Sequence, residues 1–217
     1  MNFHWNEVIK FLPVLLTGLK MTLIVSAIST VGSTIIGVIV AMMRISKSRI
    51  LNAIARIYIE WIRGTPLMIQ LMFIYFGLGY YINFSAMFAG NLGLSMFMGA
   101  YIAEIIRAGI ESVPKGQTEA AQSLGMNYYQ IMKHIIYPQA IRTVLPPIVS
   151  QFITLIKDSS LLSILAVSEL SYVSRKIVTR NMAPFEIYLA TGLIYLFLTA
   201  SLSQVVRILE RRLKIGA

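Results

Sequence analysis

The chain has no cysteine. Disulfides, thiol catalysis and cysteine-held metals are therefore excluded. Histidine is nearly absent too, since His4 and His134 stand alone and far apart, as suits surface or interfacial positions rather than a metal site or a general base. Acids are scarce, at 9 Asp and Glu against 19 Lys and Arg, and no adjacent carboxylate pair shares a helix face. A membrane-embedded enzyme lacks its usual constellations here. No glycine-rich loop ending in Lys-Ser or Lys-Thr occurs, so the chain does not bind and hydrolyse ATP in the phosphate-loop manner.

Apolar sequence is what the chain has in excess. With 57% hydrophobic residues, 13% charged and a mean hydropathy of +0.72, its apolar runs exceed what a soluble core of this size would bury. The expected fold is an all-α integral membrane protein with one domain over residues 1–217. A net charge of +10 invites a nucleic-acid reading, but the cations sit between or beside apolar runs, and membrane topology accounts for that placement better.

Residues 1–17 are short and partly amphipathic (His4, Glu7, Lys10), with Trp5 suited to a membrane interface. Weak positive charge and no small-residue cleavage site argue against a signal peptide. Residues 21–43 are uncharged and predict a first span, in which Gly32, Ser33 and Gly37 would admit a close neighbour. Residues 64–103 are also uncharged, about twice what one crossing needs. Turn residues Gly77, Gly79, Asn83, Gly90, Asn91 and Gly93 divide this run into helices of about 57–80 and 93–110. A discontinuous fourth crossing follows, interrupted at Lys157-Asp158, then a short helix and an outer loop to about residue 186. Residues 187–206 form the fifth helix. Most of the 19 cations, from Arg44 to Arg63, from Arg107 to Arg142 and after Val206, then fall on one side, which predicts an outside N-terminus and a cytoplasmic C-terminus. Lys10, Lys20, Lys157, Arg175, Lys176 and Arg180 fall outside, the last three as a cluster against the rule.

Between Arg107 and Arg142 lies a polar, capped interval. A helix over about 114–124 is expected to stop at Gly125, and a second to open at Asn127 with Gln130 closing a capping box and Met126 stapled to Ile131. Pro138 is expected to end it. Ala120, Ala121 and Leu124 share a face of the first helix. Two small, firm helices just outside a membrane have the form of something that docks.

Glu119-Ala120-Ala121, then Gly125, Ile135 and Pro138, resembles the EAA loop by which permease subunits of ABC importers grip their ATPases; Tyr137 replaces the usual Leu. Further words resemble the polar amino-acid branch of that family, the histidine, glutamine, glutamate, arginine and opine type. They are Gly18-Leu19-Lys20-Met21-Thr22-Leu23, Glu60-Trp61-Ile62-Arg63-Gly64-Thr65-Pro66-Leu67 with Gln70, Tyr101 to Gly109, and Lys157-Asp158-Ser159-Ser160-Leu161. The resemblance covers nearly the whole chain. It implies a type I importer permease of five transmembrane helices in a bacterial cytoplasmic membrane, with a coupling loop over about 111–138. Its implied partners are a second permease, identical or related, two ATPase subunits that bind the ATP, an extracytoplasmic solute-binding protein, membrane lipid and a polar amino acid. No cofactor of its own is implied, and the chain is not an enzyme. Glu119, Ala120, Ala121, Leu124 and Gly125 would couple to the ATPase.

Two places could meet substrate. A helix break at Lys157-Asp158 would free the amides of Ser159, Ser160 and Leu161 for a carboxylate, with Asp158 facing an ammonium or cationic side chain; equally, the pair could mark a helix end at the outer interface. At Arg63-Gly64-Thr65-Pro66, a kink could aim Thr65 and Gln70 at the path, with Arg63 at the headgroups. Glu104 and Arg107 are spaced to pair with each other. Met68, Met72, Met96 and Met98 suit irregular packing. The leading reading is a permease for polar amino acids, basic ones among them; an ion-coupled secondary amino-acid transporter is the alternative. Uptake that survives ATP depletion would select the alternative, and uptake lost on ATP depletion selects the permease.

Overall fold

The computed structural model describes residues 5–213, and every regular element among them is helical. His4 and Lys214 lie outside the described residues, as do the side chains of Trp5, Glu7, Arg211 and Arg212. The first helix, α1 (Trp5–Ile45), is a single piece of 41 residues. The expected division between residues 1–17 and a span at 21–43 is therefore corrected. Pro13 sits inside the helix. The apolar row Val8, Phe11, Leu15 and Leu19 continues past it onto Leu170, Val173, Ile177 and Ile187, and those packing contacts outweigh one missing backbone donor.

Helix α2 (Arg49–Gly64) opens at Ser48, whose hydroxyl accepts from the Leu51 amide, and closes at Thr65. Proline forces the break, since Pro66 lacks an amide and drives Thr65 to an extended conformation at φ −122° and ψ 147°. Helix α3 (Leu67–Met72) resumes and runs on as a π turn (Phe73–Gly77) and a 3-10 turn (Leu78–Tyr80). The helix expected over 57–80 is thus divided in two. Helix α4 (Ala86–Glu111), capped by Ser85, starts before the expected residue 93. Gly90, Asn91 and Gly93 are packing positions here rather than turn residues. A Cβ on Gly90 would stand 2.8 Å from Leu162, and one on Gly93 2.7 Å from Leu71.

Helices α5 (Lys115–Ser123) and α6 (Tyr128–Ile131) form the polar interval. A π turn (Met132–Ile136) then leads straight into α7 (Tyr137–Asp158), so Pro138 does not end the helix as expected. The wide turn comes just where the proline ring would crowd the carbonyl four residues back. Nor does the chain break at Lys157-Asp158. It tightens into a 3-10 helix (Ser159–Leu165) and turns at Ala166, φ 60°. The expected outer loop is mostly helix α8 (Leu170–Asn181), and α9 (Pro184–Leu213) completes the fold.

Among the described residues, four stretches are long and apolar enough to cross a membrane: Val8–Ile45, Ala86–Glu111, Tyr128–Leu165 and Pro184–Ile208. Leu67–Tyr80 is apolar but shorter, so the second helix of the expectation, about 57–80, is the divided α2–α3 pair. Large apolar side chains remain exposed along α1 (Val31, Ile35, Ile39) and α9 (Leu193, Leu196, Phe197), as suits lipid or an apolar partner.

Helix α1 lies along α4, and small residues set the distance between them. A Cβ on Gly32 would stand 2.4 Å from Ser95 Oγ, and one on Gly37 2.5 Å from Ile102 Cγ2. From the other side, a Cβ on Gly99 would meet Ile36 at 2.8 Å. Ser33 is fully buried, and Ser29 Oγ donates to Asn91 Oδ1 at 2.9 Å within the seam. The close approach expected at Gly32, Ser33 and Gly37 is met. Gly37→Val should lower the thermal stability of the detergent-purified protein by about 1–3 kcal/mol, the usual cost of overpacking. Gly192→Ala, where a Cβ meets nothing within 4 Å, should leave the melting temperature unchanged.

Candidate functional site

The polar interval folds as a compact hairpin. Helix α5 ends in a Schellman motif, with the Met126 amide on the Ala121 carbonyl (3.1 Å), the Gly125 amide on Gln122 (2.9 Å) and Gly125 at φ +77°. Helix α6 opens on the expected capping box: the Gln130 amide donates to Asn127 Oδ1 (3.0 Å) and the Asn127 amide to Gln130 Oε1 (2.9 Å). Ala121, Ile131, Met132 and Ile136 form its core, with Met126 packed against them. The apolar face expected from Ala120, Ala121 and Leu124 is divided, however. Only Ala121 turns inward; Glu119 and Ala120 are exposed, and Leu124 is 82% exposed. Leu124 shares this outward surface with Tyr128 (59% exposed) and Tyr129 (69%), which sequence reasoning missed although two adjacent tyrosines in a polar interval were a signal. Lys47 lies 5.2 Å over the Tyr128 ring, tying the α1–α2 corner to the hairpin.

Above the hairpin, Arg107 binds Glu104 through two bonds of 2.8 Å and also reaches Glu111. Arg63 approaches Glu104 at 3.6 Å and lies 5.2 Å over the Tyr101 ring. The expected Glu104–Arg107 pair is present, and Arg63 joins it instead of standing alone. At the helix break, Gln70 Nε2 donates to the Ile62 carbonyl (2.8 Å), the Thr65 carbonyl (3.2 Å) and Thr65 Oγ1 (2.7 Å). Thr65 Oγ1 donates in turn to the Trp61 carbonyl (2.9 Å). The amide of Gln70 thereby satisfies carbonyls that Pro66 leaves without partners. Thr65 and Gln70, expected to aim at a path, hold the break through these bonds.

The segment Lys157 to Leu161 is distributed over several surroundings. Ser159 is fully buried; its amide donates to the Leu155 carbonyl and its hydroxyl to that of Ile156 (2.7 Å). Because the helix tightens rather than restarting, the expected row of free amides at Ser159, Ser160 and Leu161 does not form. Lys157 and Ser160 line a cleft of about 330 Å³ with Ser171, Tyr188, Thr191 and Tyr195. Asp158 is half-buried, and its carboxylate has no hydrogen bond or ion pair among the described residues. Leu161 packs on the cluster of Leu67, Leu71, Leu162 and Leu165. The structure thus brings the 3-10 turn after Asp158 against the α3 start.

Glu169 was not legible as a structural centre. It is fully buried and caps α8, accepting from the Ser171 amide (2.8 Å), the Tyr172 amide (2.6 Å) and the Tyr195 hydroxyl (3.0 Å). Beside it the Leu170 amide donates to Thr22 Oγ1 at 3.1 Å. Together these bonds fasten α8 to α1 and α9.

A body of membrane-length helices with a firm, exposed hairpin at one end has the form of a membrane subunit that works with other subunits. The chain belongs to the family described as binding-protein-dependent transport system inner membrane component, whose profile matches residues 33–215. It is 38% identical over 218 residues to the glutamine transport system permease protein GlnP of Escherichia coli (strain K12), covering 99% of this chain and 100% of that protein. It is 42% identical to the probable glutamine ABC transporter permease protein GlnM of Bacillus subtilis (strain 168), over 91% of this chain and 92% of that one. A chain in the crystal structure of an amino acid ABC transporter with histidines superposes with a TM-score of 0.94 at 36% identity, covering 98% of this chain and 100% of that chain. The resemblance to ABC permeases and the type I importer fold are both borne out. The chain is a multi-pass, non-catalytic permease subunit of the inner membrane.

Burial holds the Glu169 carboxyl above the ordinary glutamate range, outweighing the amides of Ser171 and Tyr172 and the Tyr195 hydroxyl, which favour its ionised form. The folded chain keeps this proton more tightly than an unfolded one. Its contribution to stability therefore grows as pH falls toward the ordinary range and is lost as pH rises through the raised value. Glu169→Gln should flatten that part of the pH profile of thermal stability. Glu169→Ala should cost about 1–3 kcal/mol or more at every pH, because buried donors lose their acceptor.

Proposed function

We propose that the whole chain acts as one permease unit of an ATP-driven importer for polar amino acids, with a preference for cationic ones. The observation that carries this reading is the exposed face of the α5–α6 hairpin, Leu124 with Tyr128 and Tyr129, on a structure that runs without a break into α7. Glu119, Ala120, Leu124 and Gly125 stand on the outward side of the hairpin, and Ala121 holds its core. Two ATPase subunits grip this hairpin in each of two paired permeases, and a solute-binding protein delivers substrate on the far side. The N-terminus lies outside and the C-terminus in the cytoplasm, in keeping with the cations Lys47, Arg49 and Arg56 that gather beside the hairpin.

ATP-driven closure of the ATPases draws the two hairpins together. Stiff helices then convert that movement into tilting of α7, because the π turn at Met132–Ile136 keeps the ladder continuous through Pro138. Substrate passes along the seam between permeases, where Asp158 offers a carboxylate with no hydrogen bond or ion pair among the described residues, close to the 3-10 turn that packs on the α3 start. Asp158 would receive an ammonium or guanidinium. Relatives named for glutamine, and a solved structure titled with histidines, support polar amino acids as the cargo class. The ion-coupled alternative has no observation in its favour.

Proteoliposomes holding the permease with its ATPase should import labelled amino acid only with ATP and the loaded binding protein. Glu119→Lys and Gly125→Asp should cut ATP-coupled uptake at least about tenfold, equivalent to some 1.4 kcal/mol of coupling, while the chain still inserts. Full uptake in both variants would remove the coupling role of the hairpin. Asp158→Asn should reduce uptake of lysine or arginine more than that of glutamine; equal loss would remove the cationic preference.

A further inference from the structure

The turn between α1 and α2 carries a feature that transport of an amino acid does not use. A cleft of about 410 Å³ opens there, lined by Ser46, Lys47, Ser48, Arg49, Asn52 and Arg56. It contains three cations, and no carboxylate borders it. Asn52 is committed, its Oδ1 accepting from Arg44 at 2.9 Å. Arg49 and Arg56 are exposed and have no ion pair or hydrogen-bonded side-chain partner among the described residues.

The helix that continues from this cleft has three distinct faces. Ala55, Ile59 and Ile62 are buried against the protein. Arg49, Arg56, Glu60 and Arg63 follow at intervals of seven, four and three residues, as one polar row. Ile50, Ile54, Ile57 and Trp61 form a second row at intervals of four, three and four, and it is exposed, Ile57 at 66% and Trp61 at 63%. A helix with a basic row beside an exposed apolar row containing Trp matches the boundary between headgroups and acyl chains.

We infer that this corner is a binding site for an anionic phospholipid of the leaflet that meets the docking hairpin. The phosphodiester sits in the cleft between Lys47, Arg49 and Arg56, where the Ser46 and Ser48 hydroxyls also border it, and the acyl chains lie along Ile50, Ile54, Ile57 and Trp61. Charge sets the headgroup class: three cations without a carboxylate favour a net negative lipid over a zwitterionic one. The apolar row distinguishes a lipid from a soluble phosphate, which would leave that row uncovered. Because Lys47 also stacks on Tyr128, the bound lipid abuts the hairpin.

Native mass spectrometry of the permease purified with its ATPase tests the site, with phosphatidylglycerol and phosphatidylcholine supplied together. Phosphatidylglycerol should be retained about tenfold more, and R49Q/R56Q should reduce its retention to the phosphatidylcholine level, as expected for two lost cations near a headgroup. The pair K176Q/R180Q on α8 should retain it as the parent does. Equal retention of the two lipids would overturn the proposal, as would unchanged retention in R49Q/R56Q. Displacement of the lipid by millimolar inorganic phosphate would mark a site for soluble anions instead. Loss of the ATPase from R49Q/R56Q with lipid retention intact would mark a protein contact. Should that variant fail to insert, a photoactivatable phosphatidylglycerol on the unaltered complex decides: cross-links within residues 46–61 support the site, and cross-links only elsewhere overturn it.

Discussion

Everything in this fold hangs on the close contact of α1 with α4. In an apolar surrounding, water expulsion does little to hold two helices together, and association relies on tight packing and a few internal hydrogen bonds. Gly32, Gly37 and Gly99 bring the backbones near enough for both, and the Ser29–Asn91 bond fixes the register of one helix on the other. The remaining elements attach to one end or the other of this pair. At one end Val40, Ala41, Ala55, Ile59 and Ala103 seat α2, and the corner beyond it leans on the hairpin through Lys47. At the other end Leu15 and Thr22 receive α8.

Around that pair, the irregular parts of the backbone are those that a helix ladder alone cannot satisfy, and each has a local remedy. Gln70 serves the carbonyls beside Pro66, the π turn before Tyr137 makes room for Pro138, and Glu169 receives two amides at the head of α8. Each remedy leaves a polar group accounted for where water has little access. The same remedies decide what moves as one piece. Without the π turn the hairpin would hinge on a proline; with it, hairpin and α7 form a single stiff arm.

Local chemistry was legible in the sequence, and tertiary context was not. The Asn127–Gln130 capping box and the Gly125 stop depend on residues within a few positions, so they could be read from spacing alone. Glu104 and Arg107, three apart on one helix, could be paired for the same reason. Gly90, Asn91 and Gly93 looked like a turn because glycine and asparagine usually mark one; their actual partners, Leu162, Ser29 and Leu71, lie far away in the chain. Pro138 looked like a stop because the wide turn that accommodates it is a property of the folded whole. The segment from Lys157 to Leu161 was read only in part: the sequence singles out Asp158, but only the course of the helix shows Ser159 turned inward. Family membership was the most legible feature of all, since its words are spread along nearly the entire chain.

At about 1.5 Å per residue the 41 residues of α1 extend roughly 60 Å, against a hydrocarbon slab of about 30 Å. Such a rod cannot stand upright and stay wholly immersed. It must lean steeply, project into water, or do both, and since it carries α8 near one end and α2 at the other, any change in its slant displaces those two attachments in opposite directions. The longest helix is therefore a beam balanced across the bilayer, and the thickness of that bilayer is one of the quantities that set its angle.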